Sequence, residues 1–436
     1  MINKGKVVMN RENKLRRNLI IIVLFLLCLI TNLYSEGTPG LSFNYIGNAY
    51  EVSRGSATDE EIIIPAIHND LPVTKIADRG FFVYSLRNAG WHRTGMRSIK
   101  LPNSIIYIGS SAFFGNEFLT DIDIPNSVTT IGAHAFSNCI RLASINIPDS
   151  VTSIGVGAFM FYQYSSLTHV VLSKNLTKIS DYLFFGCSKL TNLEIPNSVT
   201  GIGRSSFGGC RSLTEIKIPN SVTTIGDGAF GGCTGLTNIS IPNSVTTIGD
   251  GAFGGCTGLT SISIPSSVVY IGVNPFSSTN LENIIVEKGN PEYRSEGNTL
   301  IHISTNTVVS GTKNSIIPEG ITAIGNAAFA WLENLTHIEI PNGVISIGNL
   351  AFSRCFNLVS ISLPNSLTAI GHNAFSTCRS LTTIVIPISV TSIGNYAFTG
   401  CRNLTIYSEA ESQPDGWEPL WNNDNRPVVW GYVQER

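Results

Sequence analysis

A 23-residue repeat runs through most of this 436-residue chain. The two copies that begin at Pro219 and Pro242 are identical over 23 positions, except that Asn238 in the first copy corresponds to Ser261 in the second. A fixed period of this size is typical of elongated proteins in which each repeat packs only on its neighbours. The regular units begin at Pro102, Pro125, Pro148, Ser173, Pro196, Pro219, Pro242, Pro265, Pro318, Pro341, Pro364 and Pro387.

A phenylalanine stands eleven residues after the start of every regular unit. A degenerate unit before them, LPVTKIADRGFF, has Ile76 and Phe81 in the same register, so we count thirteen units. The phenylalanines of the regular units are Phe113, Phe136, Phe159, Phe184, Phe207, Phe230, Phe253, Phe276, Phe329, Phe352, Phe375 and Phe398.

Each unit offers about six apolar side chains for burial: Leu, Ile and Ile at alternate positions of LTNISI, Val and Ile of VTTI, and the phenylalanine. Burying them contributes roughly 12 kcal/mol at about 2 kcal/mol each, whereas ordering 23 residues costs at least as much in backbone entropy. One unit therefore cannot fold alone. Stacked units predict a β-dominated solenoid whose strands pair as a parallel ladder about 4.8 Å apart.

The residues around the strands predict how the chain turns. Proline at the end of each strand cannot donate to a ladder, so it is expected to close the strand. A glycine such as Gly226 or Gly249 follows the isoleucine in eleven of the twelve regular units, Ser180 being the exception, and we expect a positive φ there. DGAFGGC predicts one helical turn, capped by Asp227.

Eight cysteines share one position, fourteen residues after the start of their units. Side chains in register point in parallel about 5 Å apart, which does not suit a disulfide, and no CxxC metal motif occurs. We therefore predict buried, reduced thiols that pack as small apolar groups. They are Cys139, Cys187, Cys210, Cys233, Cys256, Cys355, Cys378 and Cys401.

The pattern IPxSVTxIGxxAFxxCxxLTxIxIP resembles the BspA-like leucine-rich repeat proteins, which are bacterial surface proteins also found in some parasitic protists. The resemblance extends over about residues 42 to 433. It implies a leucine-rich repeat horseshoe or arc, with a parallel concave sheet, short turns, and helical or 3-10 turns on the convex side. It also implies non-catalytic adhesion to host proteins or to other cells.

The first 35 residues form a segment of their own. Six basic residues precede an apolar run from Leu19 to Ile30, which at twelve residues is shorter than the roughly 20 needed to span a bilayer. We expect a signal peptide cleaved near Ser35, and so a secreted or cell-surface protein. An uncleaved membrane anchor is the alternative, and it would be the protein's only contact with a membrane.

Breaks in the repeat divide the remainder of the chain. We expect an N-terminal capping segment at 36–69, leucine-rich repeats at 70–280, an irregular island at 281–317, repeats again at 318–405 and a C-terminal cap at 406–436. The cap is rich in tryptophan, and a carbohydrate-binding tail is its alternative reading. Insertions near Trp91 and Tyr164 either expose aromatic side chains or seal a widened coil.

Charge and motifs exclude several classes of function. Beyond residue 35 the chain has 22 basic and 29 acidic residues, a net charge of −7, with no basic run, so we expect no nucleic-acid partner. The seven histidines form neither HxxxH nor HExxH, and no GxSxG, P-loop or paired carboxylate motif occurs. We therefore predict no enzyme activity, no metal and no cofactor.

Binding is expected on the outward residues of the concave strands, where protein ligands would make broad contacts of modest affinity. Host extracellular-matrix or cell-surface proteins are the ligands that the resemblance implies. A structural or periplasmic scaffold without a specific concave-face ligand is the alternative. The candidate binding residues are Lys100, Asp121, Asp123, His169, Asn192, Glu194, Glu215, Lys217, His337 and Glu339.

Overall fold

The computed structural model describes residues 37–83, 95–162 and 164–433. The predicted leader at 1–35 and the insertion residue Trp91 lie outside these ranges. The described residues form a β-solenoid without a helix, in which most units contribute two short strands. The predicted fold class is confirmed.

One strand comes from LTNISI, at the end of the unit, and presents alternate residues to the core and to solvent, and we call these the face strands. They pair in parallel and in register, for example Glu215 with Asn238 and Lys217 with Ser240. The face strands are β3 (Glu61–Ile63), β6 (Ser98–Lys100), β8 (Asp121–Ile122), β10 (Ser144–Asn146), β12 (His169–Val171), β15 (Glu215–Lys217), β17 (Asn238–Ser240), β19 (Ser261–Ile264), β21 (Asn283–Val286), β26 (His337–Glu339), β28 (Ser360–Ser362), β30 (Thr383–Ile386), β32 (Thr405–Ser408) and β33 (Val428–Val429).

The other strand comes from VTTI, near the start of the unit, and forms another parallel ladder, and we call these the corner strands. Pro219 accepts a hydrogen bond from the Val222 N–H, so a tight turn separates each face strand from the corner strand that follows it. The corner strands are β2 (Tyr50–Ser53), β5 (Leu71–Ile76), β7 (Tyr107–Ile108), β9 (Thr130–Ile131), β11 (Ser153–Ile154), β13 (Lys178–Ile179), β14 (Gly201–Ile202), β16 (Thr224–Ile225), β18 (Thr247–Ile248), β20 (Tyr270–Ile271), β24 (Thr307–Ser310), β25 (Ala323–Ile324), β27 (Ser346–Ile347), β29 (Ala369–Ile370) and β31 (Ser392–Ile393).

The remaining strands lie near the N-terminus and between the two blocks of repeats. β1 (Ser42–Tyr45) pairs antiparallel with β2, and β4 (Ile67–His68) pairs antiparallel with β5. The sequence between the blocks is an ordered meander, in which β22 (Tyr293–Glu296) and β23 (Thr299–His302) pair antiparallel and lead into β24. Because β24 then pairs in parallel with β25, the meander restarts the corner ladder.

The phenylalanines stack at the centre of the solenoid. Nine rings from Phe81 to Phe276 and four from Phe329 to Phe398 form two stacks, with neighbouring centroids 5.1–5.9 Å apart and nearly parallel planes. The apolar core divides at the meander, between Leu300 and Ile301. Thirteen stacked rings correspond to the thirteen units counted from the sequence.

The cysteine position is a buried hydrogen-bonding site. All eight described thiols are free and buried, as predicted. The Cys233 thiol donates to the Phe207 carbonyl of the preceding unit at 3.1 Å, and Asn116 in the first regular unit makes the same contact with Phe81 at 2.7 Å. Burial raises the pKa of Cys139 to about 12. These thiols therefore join successive units.

Two predictions about the turns were wrong. Gly226 and Gly249 do not have a positive φ; instead, a Cβ on Gly249 would lie 2.5 Å from the Asp227 backbone nitrogen, so glycine is needed for the close approach of two units. The DGAFGGC segment forms turns rather than a helical turn. Asp227 does not cap it, because its Oδ1 accepts the Asp250 N–H of the next unit at 3.0 Å.

Candidate binding face

The ten predicted binding residues are all exposed on the outward side of the face strands or in register with them, and we call this surface the strand face. Buried isoleucines such as Ile122 and Ile216 alternate with the exposed residues and anchor each rung in the core. The position of a charged side chain on the strand face therefore follows from its spacing to a buried neighbour.

One group of charged residues lies in the N-terminal part of the strand face. The register pairs Glu61 with Ser98 and Ser98 with Asp121, so the two acidic residues lie two rungs apart in one row. Lys100 lies in the adjacent row, paired with Ile63. Asp123 follows β8 in the row of Lys100.

A second group of charges lies near the middle of the first block. Glu215 and Lys217 occupy one rung and face Asn238 and Ser240 on the next. Asn192 and Glu194 are exposed on the preceding unit, where the chain forms no regular strand. The next two rungs carry only small polar residues in these rows, Asn238 and Ser240 and then Ser261 and Ser263.

The remaining predicted residues lie apart from these two groups. His169 lies on a rung between the two groups, where it pairs with Ser144 of the preceding rung. His337 and Glu339 belong to the second block, beyond the meander, where they face Ser360 and Ser362. The ten residues therefore share one surface but not one compact site.

The strand face has an apolar region beside the meander that was not predicted from the sequence. Ile285 continues the row of Ser263 and is 54% exposed, and Ile316 is 75% exposed. The Val286 N–H donates to Ser295 Oγ and the Ile316 N–H to the Gly297 carbonyl, so the β22–β23 turn bridges the backbones of the two segments. Counting from Leu281 in LENIIV would have placed Ile285 in this row.

An ion pair and a hydrogen bond connect segments on the two sides of the meander in the same region. Lys313 Nζ lies 3.0 Å from Glu282 Oε1, across the meander. Asn334 Nδ2 also lies 3.4 Å from Asn280 Oδ1, which joins the last unit of the first block to the first unit of the second. The two blocks thus meet at a junction that displays Ile285 and Ile316.

The exposed aromatic residues lie away from the C-terminal tail. Trp417 and Trp421 are buried, and the Trp417 indole N–H donates to the Val390 carbonyl at 3.0 Å, so neither ring is open to a carbohydrate. At the two-residue insertion, Tyr162 and Tyr164 are instead more than 60% exposed. Aromatic contact surface is therefore available at a turn.

The side chains of the strand face are of kinds that make noncovalent contacts with another molecule. Within the described ranges, no group of three or more His, Cys, Asp or Glu side chains is placed to hold a metal ion. In the same part of the chain, no helix has both the length and the apolar character needed to cross a membrane. The exposed charges and the two isoleucines can contact a macromolecule by charge pairing and apolar burial.

Comparison with known proteins identifies related sequences and folds. The family described as "BspA type Leucine rich repeat region (6 copies)" matches residues 85–200, 177–296 and 309–412, more than half of the chain. No curated protein shows significant similarity.

Two solved structures share the fold along nearly the whole chain. A leucine rich cell surface protein from Faecalibacterium prausnitzii A2-165 is 25% identical with a TM-score of 0.54, covering 92% of this chain and 95% of its own. A leucine-rich repeat protein from Bacteroides ovatus ATCC 8483 is 26% identical with the same TM-score of 0.54, covering 91% of this chain and 100% of its own.

Proposed function

Because the chain belongs to the BspA type leucine-rich repeat family, we propose that it is an exported cell-surface protein that binds other proteins without catalysis. The name of the relative from Faecalibacterium prausnitzii, a leucine rich cell surface protein, supports the proposed location. The basic and apolar segment at 1–35 supports export. Adhesion to host extracellular proteins or to other cells is the role we propose for this binding.

The observation that carries the proposal is the exposure of Ile285 and Ile316 on a strand face whose other outward residues are mostly polar or charged, with less exposed apolar exceptions such as Ile63 and Val171. Large apolar side chains at the centre of an interface supply much of its binding energy, and polar surroundings exclude water from them. The charged groups around Asp121 and Glu215 lie on the same face and supply electrostatic selectivity. A protein partner with an apolar centre and a polar rim fits this arrangement.

The test compares variants of the strand face with matched variants elsewhere. The variant carrying Ile285→Ser and Ile316→Ser should lose binding to surfaces coated with extracellular-matrix proteins and to whole cells. The control carries Ile345→Ser and Ile388→Ser, which alter equally exposed isoleucines outside the strand face. Equal binding by both variants, or no binding by the unaltered protein, would contradict the proposal.

The location has a separate test. Protease added to intact cells should digest the repeat region, because the proposal places it outside the membrane. Digestion only after lysis would instead favour the scaffold alternative. In that case, neutralising Asp121, Asp123, Glu194 and Glu215 should change nothing, whereas deleting one repeat should alter assembly.

A further inference from the structure

A second surface carries charge of the opposite sign to the chain as a whole. In each unit, the residues between the buried phenylalanine and the next buried leucine form one side of the solenoid, which we call the turn edge. In the twelve regular units the turn edge has six basic and two acidic residues, although the chain beyond residue 35 is net negative. The basic residues are Arg141, Lys189, Arg211, Arg354, Arg379 and Arg402.

The six basic side chains are exposed and available to a ligand. Across the described residues, none of them forms an ion pair with a carboxylate. In the second block, Arg354, Arg379 and Arg402 lie in three consecutive units and are the only basic residues, histidine aside, between positions 318 and 405. The positive charge of this block is therefore confined to the turn edge.

Aromatic rings accompany the arginines. The Arg354 guanidinium lies 4.0 Å from the Trp331 ring centroid, and Arg379 lies 4.7 Å from that of Phe356. In the first block Arg141 lies 4.7 Å from Phe118 in the same way. Each pair joins an aromatic residue of one unit to an arginine of the next, so rings and cations alternate along the turn edge.

The backbone at Trp331 and Arg354 has a conformation that favours glycine. Both residues have a positive φ, +64° and +62°, at a position where six other units have glycine and three have Asn138, Ser278 or Thr377, also with a positive φ. The left-handed conformation costs a residue with a Cβ about 1–2 kcal/mol. An exposed cation–π contact returns only about 0.5–1 kcal/mol. The glycines at this position are Gly115, Gly186, Gly209, Gly232, Gly255 and Gly400.

The same backbone hydrogen bond forms whichever residue is present. The Trp331 N–H donates to Ser353 at 2.8 Å, just as the Gly209 N–H donates to Gly231 at 2.7 Å. The fold thus accepts glycine at this position, and the bulky residues add an exposed ring and a cation at a net cost. The contact between Trp331 and Arg354 is therefore not required for the fold.

We propose that the turn edge binds an anionic polysaccharide. Carboxylate or sulfate groups would pair with Arg354, Arg379 and Arg402, because the planar guanidinium binds such groups through two parallel hydrogen bonds. Sugar rings would lie against Trp331. The exposed amides of Asn357 and Asn403 next to the arginines suit sugar hydroxyls. A long polymer matches cations that recur in successive units, and this surface is distinct from the strand face.

The test measures binding of the full chain to heparin, polygalacturonate and neutral dextran at physiological ionic strength. Heparin carries sulfate and polygalacturonate carries carboxylate, so the two polymers distinguish which anion the arginines prefer. We expect binding to at least one of them and none to dextran. Absence of binding to both, or equal binding to dextran, would overturn the proposal.

Two variants separate binding from folding. Replacing Trp331 and Arg354 together with glycine introduces the residue that six other units have, so the unfolding midpoint should stay equal or rise, while affinity should fall about tenfold or more. Trp331→Gly alone should also weaken binding, although it leaves the charge unchanged. If Trp331→Gly binds as tightly as the unaltered protein, the proposed contact with sugar rings is wrong.

A control variant and two competing ligands complete the test. Lys174→Gln and Lys178→Gln together remove two cations that form ion pairs outside the turn edge, with Asp149 and Asp181. This double variant should bind polysaccharide within about twofold of the unaltered protein. An equal loss in the control would show a general charge effect. Vesicles of anionic lipid or homopolymeric RNA bound as tightly as the polysaccharides would overturn the assignment to polysaccharide.

Discussion

Trp421 packs edge-on against Phe398, with ring centroids 6.0 Å apart and an interplanar angle of 85°. Phe398 is the last ring of the second stack, and its neighbour on the other side, Phe375, lies nearly parallel to it at 5.6 Å. The perpendicular tryptophan therefore covers a ring face that a further repeat would otherwise cover. Trp417 packs against Trp421, with ring centroids 4.6 Å apart, and so supports this contact.

Trp421→Ala should destabilise the protein by about 3–5 kcal/mol, because it removes a buried ring and uncovers Phe398. Chemical denaturation followed by circular dichroism measures the change. Leu420→Ala is the matched control, since Leu420 is 41% exposed, and it should cost less than about 1 kcal/mol. Similar losses from both variants would show that Trp421 does not close the core.

Gly249→Ala should destabilise the solenoid by about 1–3 kcal/mol. The added Cβ would lie 2.5 Å from backbone and side-chain atoms of Asp227, which cannot move without separating two units. Gly201→Ala is the control, because nothing lies within 4 Å of a Cβ there. The control should be neutral or slightly stabilising, since alanine is less flexible than glycine in the unfolded chain. A neutral Gly249→Ala would mean that the units can separate at low cost.

The buried thiols predict loss of stability at alkaline pH. Burial raises the pKa of Cys139, Cys256 and Cys355 to about 12, whereas a free thiol titrates near about 8.5. Below the unfolded value both states are protonated and the stabilisation is complete. As pH rises toward the folded value, only the unfolded state loses protons, so each thiol reduces the free energy of unfolding by up to about 1.4 kcal/mol per pH unit.

Denaturation midpoints measured between pH 8 and pH 11 check this expectation. A variant with Cys256 and Cys355 replaced by alanine should show a shallower decline, even though it starts from a lower stability. A thiol reagent gives a second check on a Cys28→Ser protein, in which only the eight described cysteines remain. These eight should react after unfolding and not before, and rapid labelling of the native protein would contradict their burial.

Deleting residues 219–241 should leave a folded protein that is shorter by one rung, about 4.8 Å. The ladder then joins Gly201 directly to Thr247, in the same register that Gly201 has with Thr224. Deleting residues 219–229 removes only half a unit and should prevent cooperative folding, because the strand and phenylalanine positions no longer align. Small-angle scattering and thermal unfolding distinguish the two deletions.

The strand face was largely predictable from sequence, because alternate side chains of a strand point to opposite sides. Because Ile122 and Ile216 are expected to face the core, the sequence alone predicts that their neighbours Asp121 and Glu215 face solvent. Ile285 was not recognised, although counting from Leu281 places it in the row of Ser263, and Ile316 was not recognised because the repeat pattern fails in the meander that precedes it. Whether Ile316 lies beside the strand face depends on the hydrogen bond from its N–H to the Gly297 carbonyl and on the ion pair between Lys313 and Glu282, which join residues far apart in sequence.

The sequence by itself determined the thirteen units, their parallel register and the buried phenylalanines and cysteines, because a period of 23 residues sets which side chains face inward. Only the tertiary structure decided which contacts neighbouring units make. Gly249 is glycine because the Asp227 backbone lies beside it, and the Asp227 side chain accepts a hydrogen bond from the next unit. Trp331 stacks with Arg354 in a backbone conformation that glycine adopts in other units. These features depend on distances between neighbouring units, and a repeat pattern contains no information about those distances.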